Sequence, residues 1–200
     1  MTLKIYTYPK SRSLRVLWTL EEMELPYQPV RVALKPGEPG IRSPHPQRKV
    51  PVLEDGSFFL AETQAICKFI CTKYAGRVLY PVQPEEQAII DQWLSFAITE
   101  LEAPVWLTLK HKLLLPESAR VKAVAESAAT DAQTALRLLS QARLDRWIAG
   151  ENFTLADIFL AHNLAWAQAV GLTLSKPLAD YVKRCFSRPA SLRAVEMNNR

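Results

Sequence analysis

The chain has 200 residues, 48% hydrophobic and 22% charged, enough for one large or two small domains with a filled core. No stretch reaches the roughly 18 consecutive apolar residues of a membrane span, and the opening MTLKIYTYPK alternates polar and apolar residues where a signal peptide needs an apolar run. A globular protein of the reducing cytoplasm, with no membrane partner, is expected; the three cysteines, an odd count without C-x-x-C spacing, fit that compartment.

The net charge of +5 is unevenly spread. Residues 1–80 carry 12 Lys+Arg against 7 Asp+Glu, and residues 81–200 carry 13 against 13. The basic residues form no dense cluster interleaved with aromatics, so nucleic acid is not expected as a partner. A solvated surface or a small anionic ligand remains.

In chain order, LKIYTY (3–8) has the alternation of a strand, and SLRVLWTLEEMEL then sets Leu14, Leu17, Trp18 and Leu20 on a helical stripe. YQPVRVAL (27–34) predicts a second strand, giving a β-α-β opening. From 35 to 46 the chain is rich in Pro and Gly, and a loop with room for one short helix is expected. KVPVLEDGSFFLAETQAI (49–66) predicts a hairpin turning at Asp55-Gly56, followed by a helix from about 63 to 74. Pro51 falls where the first hairpin strand should start, which suits a strand's first residue, an edge, or a turn with a cis bond.

Past GRVLYPVQPEE only helical periods remain: 85–115, 117–142, a segment around Trp147, 154–170 and 178–186. Pro104 should bend or divide the first of these. In ENFTLADIF, Thr154 and Asp157 have the spacing of a variant capping box, with Phe153 and Ile158 as its hydrophobic staple. Two domains are therefore expected, residues 1–78 of α/β type and residues 85–200 all α. Cys67 and Cys71, four apart on one helix face, are expected as buried apolar residues rather than metal ligands.

The order of elements and three segments, YPKSRSLRVLWTLEE, KVPVLEDGSFFLAETQAI and GENFTLADIFLA, give the chain its resemblance to the cytosolic glutathione transferases, nearer to serine-type bacterial and fungal members. The resemblance implies a thioredoxin-like first domain with a mixed four-stranded sheet, an all-helical second domain, glutathione as co-substrate and a homodimer. It also implies a cis bond at Val50-Pro51, whose outward backbone would pair with the glutathione peptide as an added strand does.

Other positions follow from the same resemblance. Glu62 and Thr63 read as a helix cap and also as the anchors of the γ-glutamyl ammonium and carboxylate. Lys49 matches a position that reaches the glycine carboxylate, a solvated surface cation being the alternative; His45 is an edge contact. Arg48 stands where many members have glycine. Ser11, four residues before Arg15, has the spacing of the catalytic serine, and Ser13 is second; both also suit N-capping. Tyr6 and Tyr8 are assigned to the core, and a cysteine chemistry is excluded because Arg12 occupies the position of the cysteine in beta-like members.

The implied reaction is attack of a glutathione thiolate on a small apolar electrophile, in a pocket between the domains that takes Trp106, Leu107 and Lys110 as candidates. Reduction of peroxides or disulfides, or binding without catalysis, are the alternatives. Histidines 45, 111 and 162 are too scattered to signal a metal, and none is expected.

Overall fold

The computed structural model describes every residue except Met1, Lys35, Pro36, Pro39 and 75–78. The expected domain end at residue 78 lies outside the described residues. By compactness the chain divides into one unit formed by residues 1–81 with 187–200, and a second formed by residues 82–186.

The first unit is built on strands β1 (Leu3–Thr7), β2 (Tyr27–Arg31), β3 (Val52–Asp55) and β4 (Phe58–Ala61) in the order β2-β1-β3-β4. β1 runs parallel to β2 and antiparallel to β3, and β3 antiparallel to β4, so the sheet is mixed. Pro29 lies in β2, an edge strand, where a missing donor is tolerated. The hairpin turns one residue later than expected: Asp55 pairs with Phe58, and Gly56, at φ 63, takes the first of two turn positions, where a II′ turn puts glycine. Among the described residues of the 35–46 loop there is no helix; the backbone is tied by a bridge between Val32 and Ile41.

Helices α1 (Ser13–Glu22) and α2 (Thr63–Lys73) pack with the sheet, their apolar faces supplying Val16, Leu17, Trp18, Leu20, Ile66 and Ile70 to a core that also holds Ile5 and Leu53. The periodic stripe of α1 predicts one wet face, yet every residue from Ser13 to Leu20 is buried. The cause is a helix that the sequence reading omits, Pro189–Asn199. It lies against α1, the guanidinium of Arg188 gripping Glu22 through two bonds of 2.6 and 2.7 Å and Arg193 holding Glu21 at 2.6 Å. By compactness this last segment groups with residues 1–81, and the ion pairing with the end of α1 that ties it there is invisible to local periodicity.

The second unit contains α3 (Pro84–Phe96), α4 (Ala103–Leu109), α5 (Lys122–Leu139), α6 (Leu155–Ala169) and α7 (Lys176–Phe186); the terminal helix of the first unit is α8. The single long helix expected over 85–115 is divided. Pro104 has no N–H for its helix and crowds the carbonyl four residues back, and the backbone absorbs this in a π-helical stretch, Ala97–Glu102. The widened turn leaves a carbonyl to be served from outside, and the fully buried Asn163 donates to Ala97 at 2.7 Å. A second π stretch, Lys110–Leu114, ends the segment. The helix expected from residue 117 starts as one 3-10 turn, Glu117–Ala119, before α5.

α6 is the axis of this unit. Its residues from Leu155 to Leu164 are all buried, the pattern of a helix surrounded by others. Its start carries a capping box as the sequence predicts. The Asp157 carboxylate accepts from the N–H groups of Thr154 (2.8 Å) and Ile148 (2.9 Å), from the Thr154 hydroxyl (3.0 Å) and from the Tyr181 hydroxyl (2.5 Å). One buried side chain thereby joins α6, α7 and the loop around Ile148. Burial pushes the Asp157 carboxyl up from its ordinary value while these four donors pull it back.

Candidate functional site

The sheet register gathers the predicted residues of the first unit. Tyr6 pairs with Val52, and Val52 with Ala61. One step beyond those partners stand Thr7, Pro51 and Glu62. The segments that carry Ser11, Val50-Pro51 and Glu62-Thr63 therefore leave the sheet at one end, and α1 and α2 both begin there.

The Val50-Pro51 peptide bond is cis. Pro51 is buried, Val50 half-buried, and among the described residues neither the N–H nor the C=O of Val50 has a hydrogen-bond partner. An extended peptide could pair with that backbone as another strand would. The loop before it is shaped by a residue that the sequence reading passed over: the Ser43 hydroxyl donates to the Lys49 carbonyl at 2.5 Å and accepts the His45 N–H at 3.2 Å. Its only sequence signal is a serine ahead of a proline-rich turn. His45 also builds the loop, its Nδ1 accepting the Gln47 N–H at 2.9 Å and its carbonyl the Arg48 N–H at 2.8 Å. Arg48 has φ 55, which explains why glycine suits its position. The Lys49 side chain is exposed.

At the start of α2, Glu62 is exposed and holds φ 70, ψ 117, a backbone state outside the wells that side-chain-bearing residues favour. No side chain caps this helix. Its first N–H groups therefore receive no acceptor from a capping side chain, the state in which a helix start can take a carboxylate. Thr63 retains 8% exposure.

Ser11 and Ser13 are brought together but differ in access. Their hydroxyl oxygens lie 2.9 Å apart, and the Ser13 N–H donates to the Ser11 oxygen at 3.2 Å. The Ser11 hydroxyl donates to the Tyr8 carbonyl at 2.6 Å. Ser11 is half-buried, whereas Ser13 has no exposed surface.

Tyr6 and Tyr8 depart from the expected core roles. Both are half-buried with their hydroxyls on carboxylates, Tyr6 on Glu54 and Tyr8 on Glu38, and those bonds raise both phenols above their ordinary value. Tyr8 also lies under the Arg31 guanidinium, 4.8 Å from its ring centre. The three cysteines are buried. Burial pushes the Cys67 thiol up to about 12 and the Cys71 thiol further, which leaves both as protonated, poor nucleophiles. Among the described residues no three His, Cys, Asp or Glu side chains cluster as metal ligands.

In the helical unit, the neighbours Trp106 and Leu107 turn to different partners. Trp106 stacks on Trp166 of α6 with ring centres 5.7 Å apart, and His162 lies 4.6 Å from the same ring. Leu107 lines a groove of about 450 Å³ beside α5 with Ala128, Thr134 and Leu138. Lys110 opens the second π stretch.

Family models for the N-terminal and C-terminal domains of glutathione S-transferases match residues 1–72 and 103–189. Glutathione S-transferase F10 of Arabidopsis thaliana is 31% identical over 81% of this chain and 78% of its own. Glutathione S-transferase GstB of Escherichia coli is 26% identical over 90% and 91%. Among solved structures, Ure2p in complex with glutathione superposes with a TM-score of 0.85 over 98% of this chain and 93% of that one, at 17% identity, a likeness of fold.

Proposed function

The chain belongs to the glutathione S-transferase family and is a glutathione transferase, and we propose that Val50, Glu62-Thr63 and Ser11 respectively pair with, anchor and activate the peptide. The observation that carries this reading is the convergence at one sheet end of an unpaired backbone segment, an uncapped helix start and a half-buried hydroxyl. Glutathione has a partner for each: a peptide backbone for Val50, an α-carboxylate for the start of α2, an ammonium for Glu62, and a thiol for Ser11. Lys49 is the proposed cation for the glycine carboxylate, with His45 at the edge.

The chemistry required is ionisation of the bound thiol. A free thiol has a pKa of about 8.5, and lowering it by about two units is worth roughly 2.7 kcal/mol. A hydrogen bond from Ser11 to the charged sulfur supplies about 1.5–3 kcal/mol of this, and the start of α1 roughly 0.3–1 more. The thiolate then attacks a small hydrophobic electrophile, the chemistry of detoxification, with Trp106, flat on Trp166, as the proposed apolar platform and Leu107 and Lys110 as further candidate contacts. No step needs a metal. A homodimer and a cytoplasmic location belong to the same proposal; the exposed Phe59 on edge strand β4 is a candidate contact between copies, and sedimentation equilibrium tests the dimer.

The reading is tested by calorimetric titration with glutathione and by turnover of a chlorinated aromatic, a hydroperoxide and a mixed disulfide, wild type against Ser11→Ala. Expected is a fall in conjugation of about thirtyfold or more at pH 6.5, with glutathione affinity within a few fold. Full turnover in Ser11→Ala would remove Ser11 from the role, and absence of glutathione binding by the wild type would remove the function.

A further inference from the structure

Asn198, near the end of α8, is almost completely buried, with 3% exposure. Its amide faces the backbone between β1 and α1. In one orientation its oxygen accepts the Thr7 hydroxyl at 3.1 Å but also faces the Tyr8 carbonyl, and its nitrogen faces the Lys10 N–H; in the other every contact is complementary. Nδ2 then donates to the Thr7 hydroxyl at 3.1 Å and to the Tyr8 carbonyl at 3.3 Å, and Oδ1 accepts the Lys10 N–H at 3.3 Å. One side chain from the last helix thus closes the turn that leads to Ser11, including Lys10, which holds φ 54 without being glycine.

The Tyr8 carbonyl is the point of interest, because the Ser11 hydroxyl donates to it as well, at 2.6 Å. A hydroxyl has one proton. To bond a thiolate, Ser11 must take that proton away from Tyr8, and a carbonyl left without any donor resists the change. Asn198 donates to the same carbonyl at 3.3 Å, so the carbonyl stays paired when the serine turns to sulfur.

We infer that Asn198 is a positioning residue for thiol activation: it holds the Tyr8 to Lys10 turn and keeps the Tyr8 carbonyl satisfied, which frees the Ser11 proton for the glutathione sulfur. The inference rests on Ser11 being the thiol activator. It assigns the C-terminal helix a part in the chemistry of the first unit, acting through Ser11 and touching no substrate.

The test follows the thiolate absorbance of enzyme-bound glutathione against pH in the wild type, Ser11→Ala, Asn198→Ala, the near-isosteric Asn198→Leu and the Ser11→Ala/Asn198→Leu double variant. Calorimetric glutathione affinity serves as the control for folding of the binding groove. Expected is a rise of about one unit in the bound thiol's pKa in either Asn198 variant, about a fivefold loss of thiolate at pH 6.5, with kcat falling and the KM for glutathione within twofold. Adding Asn198→Leu to Ser11→Ala should shift it no further. If Ser11→Ala raises the thiol pKa and both Asn198 variants leave it alone, Ser11 keeps its role and the inference about Asn198 is overturned. If Ser11→Ala leaves it alone, the reading of Ser11 fails and the inference fails with it.

Discussion

Two helices of this protein begin in opposite ways. At the start of α6, Asp157 is buried beneath four donors, and a hydroxyl, two backbone N–H groups and a phenol are all paired. At the start of α2, no side chain caps the helix, the first residue before it carries an exposed carboxylate, and its backbone sits at φ 70. A helix start buried in a core needs its donors satisfied from within, whereas one left open is available to a ligand's carboxylate. The contrast separates a stability device from a proposed binding device made of the same local ingredients.

The comparison breaks most visibly at α6. Asp157→Ala leaves the Ile148 and Thr154 N–H groups and the Tyr181 hydroxyl buried without their acceptor, at about 1–3 kcal/mol each before relaxation. A loss of about 4 kcal/mol in urea unfolding is expected, with glutathione affinity of the folded fraction unchanged. A loss under 1 kcal/mol would mean that the capping box is dispensable.

At α2 the expected signs are opposed. Glu62→Gly removes the strained backbone state and should raise stability by about 1 kcal/mol. The same change deletes the proposed ammonium partner and should weaken glutathione binding about tenfold, or roughly 1.4 kcal/mol. Unfolding and titration experiments on one preparation check both, and a variant that gains stability with intact affinity would show that the strain has no link to binding.

The smallest effect lies at the other end of α2, where Lys73 and Tyr74 both donate to Asp55. These bonds, led by the lysine, hold the Asp55 carboxyl below its ordinary value of 3.8. Since the folded-state value lies below the unfolded one, the stabilisation is fully present above the unfolded value and is lost as pH falls through the folded one. Asp55→Asn should therefore be slightly less stable than the wild type near neutrality, and the gap between their acid unfolding curves should close below about pH 3.8. A gap independent of pH would assign the effect to packing.

Much of this was legible because the signals are local. Alternation in LKIYTY and the Asp-Gly pair located strands, the Thr154 to Asp157 spacing located a helix start, and Pro104 located a break in a helix. The hairpin turn was displaced by one residue, since both Asp55-Gly56 and Gly56-Ser57 are acceptable turn pairs and the cross-strand pairing of Asp55 with Phe58 decides between them. The choice between Ser11 and Ser13 was open in the sequence, where both suit a cap. Burial supports the proposal of Ser11, since Ser13 has no exposed surface. Tyr6 and Tyr8 were misassigned because alternation gives the face of a strand and not the carboxylates that wait there.

The sequence by itself determined most of the elements, the order of a mixed α/β region before a helical one, and the family likeness, because periodicity, turn chemistry and capping act over a few residues. Only the tertiary structure decided that residues 187–200 join the first unit, that both faces of α1 are covered, and that Asn198 meets the Tyr8 carbonyl some 190 residues away. Pairings of that kind depend on the packed arrangement of whole elements, and no local pattern encodes them.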